Sequence, residues 1–216
     1  MHRTLCPGCG RHRAWYCYSP QCLSRLDDQL PLIEALPLPL TVVQHREEKL
    51  SKCTSVHAKI LAPASTVFVL GDDPVPDLDS DSTLVLFPGP EAKTLVELAQ
   101  VPGLLDRVER LVVVECTWVK AKAAVERARV KELGLVQVRL EEYQTQYWRQ
   151  QRKHAPRDES KLSSIEAIYY FYVEWITLRN GKYSGEVDAL LFLFNAARQM
   201  YIGNKRSREQ MEFIKE

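Results

Sequence analysis

Four branched apolar residues, Leu111-Val112-Val113-Val114, run directly into Glu115-Cys116-Thr117-Trp118 and then into Val119-Lys120-Ala121-Lys122-Ala123-Ala124-Val125. An unbroken apolar run of that kind reads as a strand buried on both faces, and the spacing behind it reads as a helix. A buried strand followed at once by a helix is the unit of a parallel α/β sheet. In such sheets ligands bind outside the carboxyl ends of the strands. The acid, hydroxyl and tryptophan at this strand end therefore have two readings. They form either a ligand site or a capped helix, with Thr117 as N-cap and Trp118 in the core.

The same alternation extends along the chain. Residues 40–44, 66–70, 83–87, 110–114 and 136–140 read as strands, being β-branched and apolar or alternating. Residues 54–61 have helical spacing, with Val56, Ile60 and Leu61 on one side. Pro88-Gly89-Pro90 is expected to turn the chain into a helix carrying Glu91, Ala92, Leu95, Val96 and Leu98, and a further helix is expected from Thr117 to about Lys131. Residues 71–82, with Pro74, Pro76 and five aspartates, read as an exposed loop. Two long helices close the chain. Ser163-Ser164-Ile165-Glu166 has the pattern of a capping box ahead of the first, and the second is expected from about Gly185 to Tyr201. The fold class is α/β, a parallel sheet flanked by helices. There is no Walker loop and no G-x-G-x-x-G, so ATP hydrolysis and dinucleotide redox chemistry lack their phosphate cradles.

Ahead of this body stand Cys6-Pro7-Gly8-Cys9, Cys17 and Cys22. The C-x2-C knuckle and the C-x4-C pair place four sulfurs within reach of one tetrahedral Zn²⁺, in a closed structural site; disulfides are the competing reading. The cluster follows Met1-His2-Arg3-Thr4-Leu5 so closely that a signal peptide is not expected, which favours reduced thiols and an intracellular protein. Arg11, His12, Arg13, Trp15 and Tyr16 lie between the knuckles, either as a nucleic-acid surface or as a loop whose Trp15 packs on the metal core. The 216 residues suit one domain with an appendage: a cysteine module over 1–30, a main domain over 31–204 and a polar tail over 205–216. A formal net charge of only +1 conceals a run without acids, residues 146–157, that holds Arg149, Arg152, Lys153 and Arg157.

Taken in order, the cysteine cluster, Leu86-Phe87-Pro88-Gly89-Pro90-Glu91-Ala92, Glu115 to Trp118 and Leu162-Ser163-Ser164-Ile165-Glu166-Ala167 resemble the DTW-domain family of tRNA-uridine aminocarboxypropyltransferases, most of all its eukaryotic branch. The resemblance spans residue 6 to about 201. It implies a SPOUT-like domain with a C-terminal trefoil knot, S-adenosylmethionine as co-substrate, tRNA as partner and no membrane or DNA. Glu115 stands where the family motif has aspartate.

The reaction so implied moves the 3-amino-3-carboxypropyl group of S-adenosylmethionine to N3 of a tRNA uridine, expected in the D-loop, with 5′-methylthioadenosine leaving. Glu115 is expected to take the N3 proton or hold the imide, with Thr117 orienting it and Trp118 stacking a base or walling the pocket. Similarity to the related ribosomal-RNA enzymes implies cofactor contacts at Thr54, Leu86, Phe87, Leu140 and Ser164, largely through backbone groups; Ser164 is equally readable as part of the capping box. Lys52, Tyr147, Trp148, Arg149, Arg152 and Lys153 are expected to meet tRNA, unless the basic run is only a solvated loop. Two rival functions fit the same chain: a SPOUT methyltransferase, and an inactive zinc-ribbon protein that binds RNA. A nuclear enzyme is expected, with the cytoplasm as the alternative.

Overall fold

The computed structural model describes residues 3–117, 120, 123, 125–126, 128–147 and 158–213, the last ten by their backbone alone. Five parallel strands form the sheet: β5 (Leu40–Gln44), β6 (Thr66–Val69), β7 (Thr83–Leu86), β8 (Arg110–Glu115) and β9 (Val136–Val138). Their spatial order is β6-β5-β8-β7-β9. The central pair β5 and β8 runs in register from Leu40 opposite Leu111 to Gln44 opposite Glu115. Both strands are apolar on each side because the sheet is covered on each side.

Strand alternation sorts the side chains. Leu40, Val42, Leu84, Leu86, Leu111, Val113 and Val138 face a layer holding α2 (Leu95–Ala99) and α4 (Ser164–Asn180), where Ile165, Ile168, Phe171 and Tyr172 are buried. Val43, Val85 and Val112 face the opposite way, onto Leu78, Val125, Ala128, Val130 and Leu135. A third cluster joins α1 (Val56–Leu61) to the N-terminal module, whose Trp15, Tyr16 and Tyr18 pack near Val56 and Ile60. That module consists of two antiparallel ribbons, β1 (Thr4–Leu5) with β2 (His12–Arg13) and β3 (Tyr16–Cys17) with β4 (Ser24–Arg25). Arg25 fastens it to the body through the carbonyls of Leu30, Pro31 and Ile60.

Helix boundaries differ from the sequence expectation, the end of the second long helix among them: expected at Tyr201, it lies at Phe213. The helix expected to follow Pro88-Gly89-Pro90 begins only at Leu95, where Thr94 and Glu97 form a capping box. Before it Phe87 and Lys93 pair with β9, Phe87 N–H on the Val138 carbonyl (3.0 Å) and Lys93 N–H on that of Gln137 (3.1 Å), while the chain between them turns, Ala92 N–H donating to the Gly89 carbonyl (3.1 Å). With the N–H groups of Phe87 and Lys93 already given to the sheet, the helix does not begin before Leu95. At the C-terminal end, Gly185 has φ +98° and starts no helix. A 3-10 turn at Asp188–Leu191 leads into α5 (Phe192–Phe213) instead. The short α3 (Leu104–Arg107) fills the link before β8. No helix among the described residues is long and apolar enough to cross a membrane.

Candidate active site

From β5 the chain turns to α1 on one face of the sheet, and from β8 it passes to Val125 and Val130 on the other. The carboxyl ends of these neighbouring strands therefore form a topological switch point. Three contacts tie the two turns together. His45 N–H donates to the Glu115 carbonyl (2.9 Å), Thr117 N–H to the Glu48 carboxylate (3.1 Å), and Lys120 pairs with Glu47 (2.6 Å).

Glu115 continues the side of β8 that carries Leu111 and Val113, and so faces the starts of α1 and α4. It is 7% exposed. The Oε2 of its carboxylate accepts hydrogen bonds from the Ser55 N–H (3.3 Å) and the Ser55 hydroxyl. Burial lifts its pKa above the ordinary carboxylate range, Ser55 and Ser164 oppose that shift, and the charge of Glu48 adds to it. Beside it the Thr54 hydroxyl oxygen accepts the N–H of Ile165 (3.2 Å). A second buried carboxylate, Glu166, accepts from Ser163 N–H (2.8 Å), Ser163 hydroxyl (2.7 Å), Thr145 hydroxyl (2.7 Å) and Gln146 N–H (2.6 Å). The expected capping box is present. Glu166 and Thr54 thus supply acceptors at the start of α4, and Glu115 at the start of α1, where N–H groups have no intrahelical partners.

A cavity of about 780 Å³ opens at this end of the sheet. Its apolar wall includes Leu86, Phe87, Val113 and Leu140, and its polar wall Glu141, Glu142, Glu159 and Ser164. Tyr143 also lines it, with its ring stacked on Tyr170 at 3.9 Å and 12°. Glu174 holds this corner, accepting from the Glu141 N–H (3.1 Å). Arg139, the cation on the wall, is engaged by the Ala92 carbonyl and Glu97, both at 3.1 Å. Cys116 lines the cavity too, its thiol pushed up to about 12 by burial and then by Glu115 and Glu48.

Of the residues expected at a cofactor site, Leu86, Phe87, Leu140 and Ser164 all line this cavity; Thr54 is occupied beneath it by Ile165. Glu115 lies behind the wall, while its neighbours Val114 and Cys116 are on it. Thr117 is exposed and engages Glu48 through its backbone. Lys52 is exposed. Tyr147, expected to stack on RNA, sets its ring beside that of the buried Phe194, 6.3 Å between centroids. Trp118, Trp148, Arg149, Arg152 and Lys153 lie outside the described residues. Ser55, Glu141, Tyr143 and Glu174 were not expected. Ser55 was legible as the position that starts α1, but Tyr143 and Glu174 are joined by the fold and carry no local motif.

The four N-terminal cysteines converge, their sulfurs all within 4.8 Å of one another. Cys6 and Cys22 are 3.8 Å apart, Cys9 and Cys17 3.5 Å. A tetrahedron with Zn–S bonds of about 2.3 Å has edges of about 3.8 Å. Disulfides, the competing reading, are not formed. The Ser19 hydroxyl pulls the Cys9 thiol down to about 6, while burial and the three neighbouring thiols push Cys22 up to about 12. Such a set readily loses its first proton and resists losing its last until a cation compensates the charge.

A family model described as the DTW domain matches residues 3–202. The chain is 29% identical to tRNA-uridine aminocarboxypropyltransferase 1 of Xenopus tropicalis, over 95% of this chain and 81% of that protein. It is 28% identical to the Mus musculus protein of that name, over 89% and 75%, and 26% identical to the Homo sapiens one, over 96% and 80%. No solved structure matches it. With the match running through the cysteine cluster, all five strands and the cavity, the chain belongs to the DTW-domain family.

Proposed function

We propose that this protein is a tRNA-uridine aminocarboxypropyltransferase, moving the 3-amino-3-carboxypropyl group of S-adenosylmethionine to N3 of a uridine. The observation that carries this reading is the cavity, which gathers Leu86, Phe87, Leu140 and Ser164 from three separate segments at the carboxyl end of a parallel sheet. Its volume of about 780 Å³ lies within the range of small-molecule sites, roughly 300–1,000 Å³. The apolar wall suits the adenosine, and the polar wall suits the charged amino-acid end. When bound, the donor supplies a sulfonium-activated methylene. In the transfer, uridine N3 forms a bond to that methylene carbon as the carbon–sulfur bond breaks. The bonding pair leaves on sulfur, and 5′-methylthioadenosine departs. The N3 proton passes to a base, for which Glu141, Glu142 and Glu159 are the carboxylates on the wall. Residues here set which carbon faces the nucleophile, and that orientation selects aminocarboxypropyl over methyl transfer.

The finer reading is a SPOUT-like domain with a C-terminal knot, Zn²⁺ held by Cys6, Cys9, Cys17 and Cys22, and tRNA met by Lys52 and the basic run 149–157. The closed metal site would serve folding and the seating of α1, away from the chemistry. The test is to incubate the protein with donor and unmodified tRNA, then identify nucleoside and small product by mass. Aminocarboxypropyl-uridine with methylthioadenosine is the expected pair. S-adenosylhomocysteine would identify a methyltransferase, and RNA binding without turnover an inactive relative.

A further inference from the structure

We propose that Glu166 is a positioning residue, which ties together three strips of chain that wall the donor cavity and so sets the affinity for the donor. The inference rests on the cavity being the donor site, as above. The wall is assembled from pieces distant in sequence. Every residue from Arg139 to Gln144 lies on it, then Glu159 and Ser160, then Ser164 and Ala167 of α4. Its carboxylates Glu141, Glu142 and Glu159 come from the first two strips, so their spacing around the sulfonium donor depends on how those strips are joined. The join is made at one buried acid. Glu166 is 2% exposed and is not itself on the wall. Its Oε1 accepts the Gln146 N–H (2.6 Å), and its Oε2 accepts the Thr145 hydroxyl (2.7 Å) together with the N–H and hydroxyl of Ser163 (2.8 and 2.7 Å). The end of the first strip is thus bonded to α4 through both oxygens. Thr145 carries the tie to the remaining strip, its N–H donating to the Glu159 carbonyl (2.8 Å). Capping α4 needs only the bonds to Ser163. Those to Thr145 and Gln146 reach back 21 and 20 residues and serve no helix. Their loss would let the strips part without removing any group that meets the donor.

Full-length Thr145→Val, Thr145→Ser and Glu166→Gln, with the wild type, test the tie. Donor affinity is measured by calorimetry with S-adenosylmethionine alone, and transfer by steady-state kinetics on tRNA. Hydrogen–deuterium exchange without donor follows the tie itself, at a temperature where urea curves show each protein folded. Thr145→Val should raise the donor Kd and KM about tenfold, the scale of one hydrogen bond. Its kcat should stay within about threefold of wild type, because saturating donor draws the strips back together. Thr145→Ser keeps the oxygen and should stay within about threefold of wild type throughout. The same oxygen accepts the Tyr147 N–H (3.0 Å), and coupling to Glu166 separates the two bonds. Glu166→Gln should weaken donor binding at least as much as Thr145→Val, and the double variant should be little worse than Glu166→Gln alone. Peptides covering 139–146 and 158–164 should exchange faster in both variants, while those of β5 and β8 keep wild-type protection. A carboxylate that only caps α4 predicts lost stability with donor Kd and KM unchanged, and that result in Thr145→Val overturns the proposal. So does a Thr145→Ser protein as weak as Thr145→Val, or wild-type exchange of 139–146 in Thr145→Val. Should Glu166→Gln fail to fold, the two Thr145 variants still decide. Failure of the functional reading shows separately, as a wild type that binds no S-adenosylmethionine or releases no methylthioadenosine, and the exchange comparison then still tests the tie.

Discussion

The bond between the Thr54 hydroxyl oxygen and the Ile165 N–H is the sharpest stability test, because it joins residues 111 positions apart through one atom. Thr54→Val replaces that oxygen with a methyl group. Ile165 is fully buried and Thr54 is 9% exposed, so water does not replace the lost acceptor. An unsatisfied buried N–H costs about 1–3 kcal/mol. Taking ~2 kcal/mol, and about 2–4 °C per kcal/mol for a chain of this size, the melting temperature should fall by about 4–8 °C. Thr54→Ser keeps the oxygen and loses one methyl, worth about 0.8 kcal/mol. The hydrogen bond thus predicts the order wild type, then serine, then valine. Apolar burial alone predicts valine first. Reversible urea unfolding followed by tryptophan fluorescence, with melting curves alongside, ranks the three. Valine equal to or above wild type would refute the assigned bond and the pinning of α4 to α1.

Three further outcomes are expected. Gly8→Ala places a Cβ 2.9 Å from the Cys22 sulfur, so zinc affinity measured against a chromophoric chelator should drop by roughly tenfold. Glu166→Gln leaves one acceptor oxygen where four donors converge, and should cost about 3 kcal/mol in urea unfolding. Because the folded pKa of Glu115 is raised, its contribution to stability is fully present below the unfolded value of about 4.3 and is lost as pH climbs through the folded value. Glu115→Gln should therefore gain on wild type as pH rises above about 4.3, and a difference that does not change with pH would contradict the burial.

The sheet was legible because its strands are apolar on both faces, and runs such as Leu111 to Val114 have no other comfortable environment. The cysteine site was legible from spacing, since C-x2-C and C-x4-C bring sulfurs together almost whatever surrounds them. Helix starts were legible only where a local signal existed. Ser163 with Glu166 announces α4, whereas the capping pattern Thr94-Leu95-Val96-Glu97 competes with the proline turn before it as a helix start. The corner formed by Tyr143, Tyr170 and Glu174 had no local signal. The loop after β9 and the middle of α4 meet there only because the sheet order puts them side by side.

Glu115 shows where sequence reading stopped short and why. An acid at the end of a buried strand is correctly placed near a ligand site, but chain position gives only the strand end, and strand parity gives the face. On β8 the parity is fixed by Leu111 and Val113, which face the α4 layer. A carboxylate two residues further along must point into that layer too, where the charge persists only with donors supplied. Those donors are the N–H and hydroxyl of Ser55, at the start of α1. Val113, Val114 and Cys116 reach the cavity from both faces of this strand end. The motif therefore acts as a junction before it acts as a surface. Its acid ties the end of β8 to Ser55 at the start of α1, next to Thr54, which accepts from the first turn of α4.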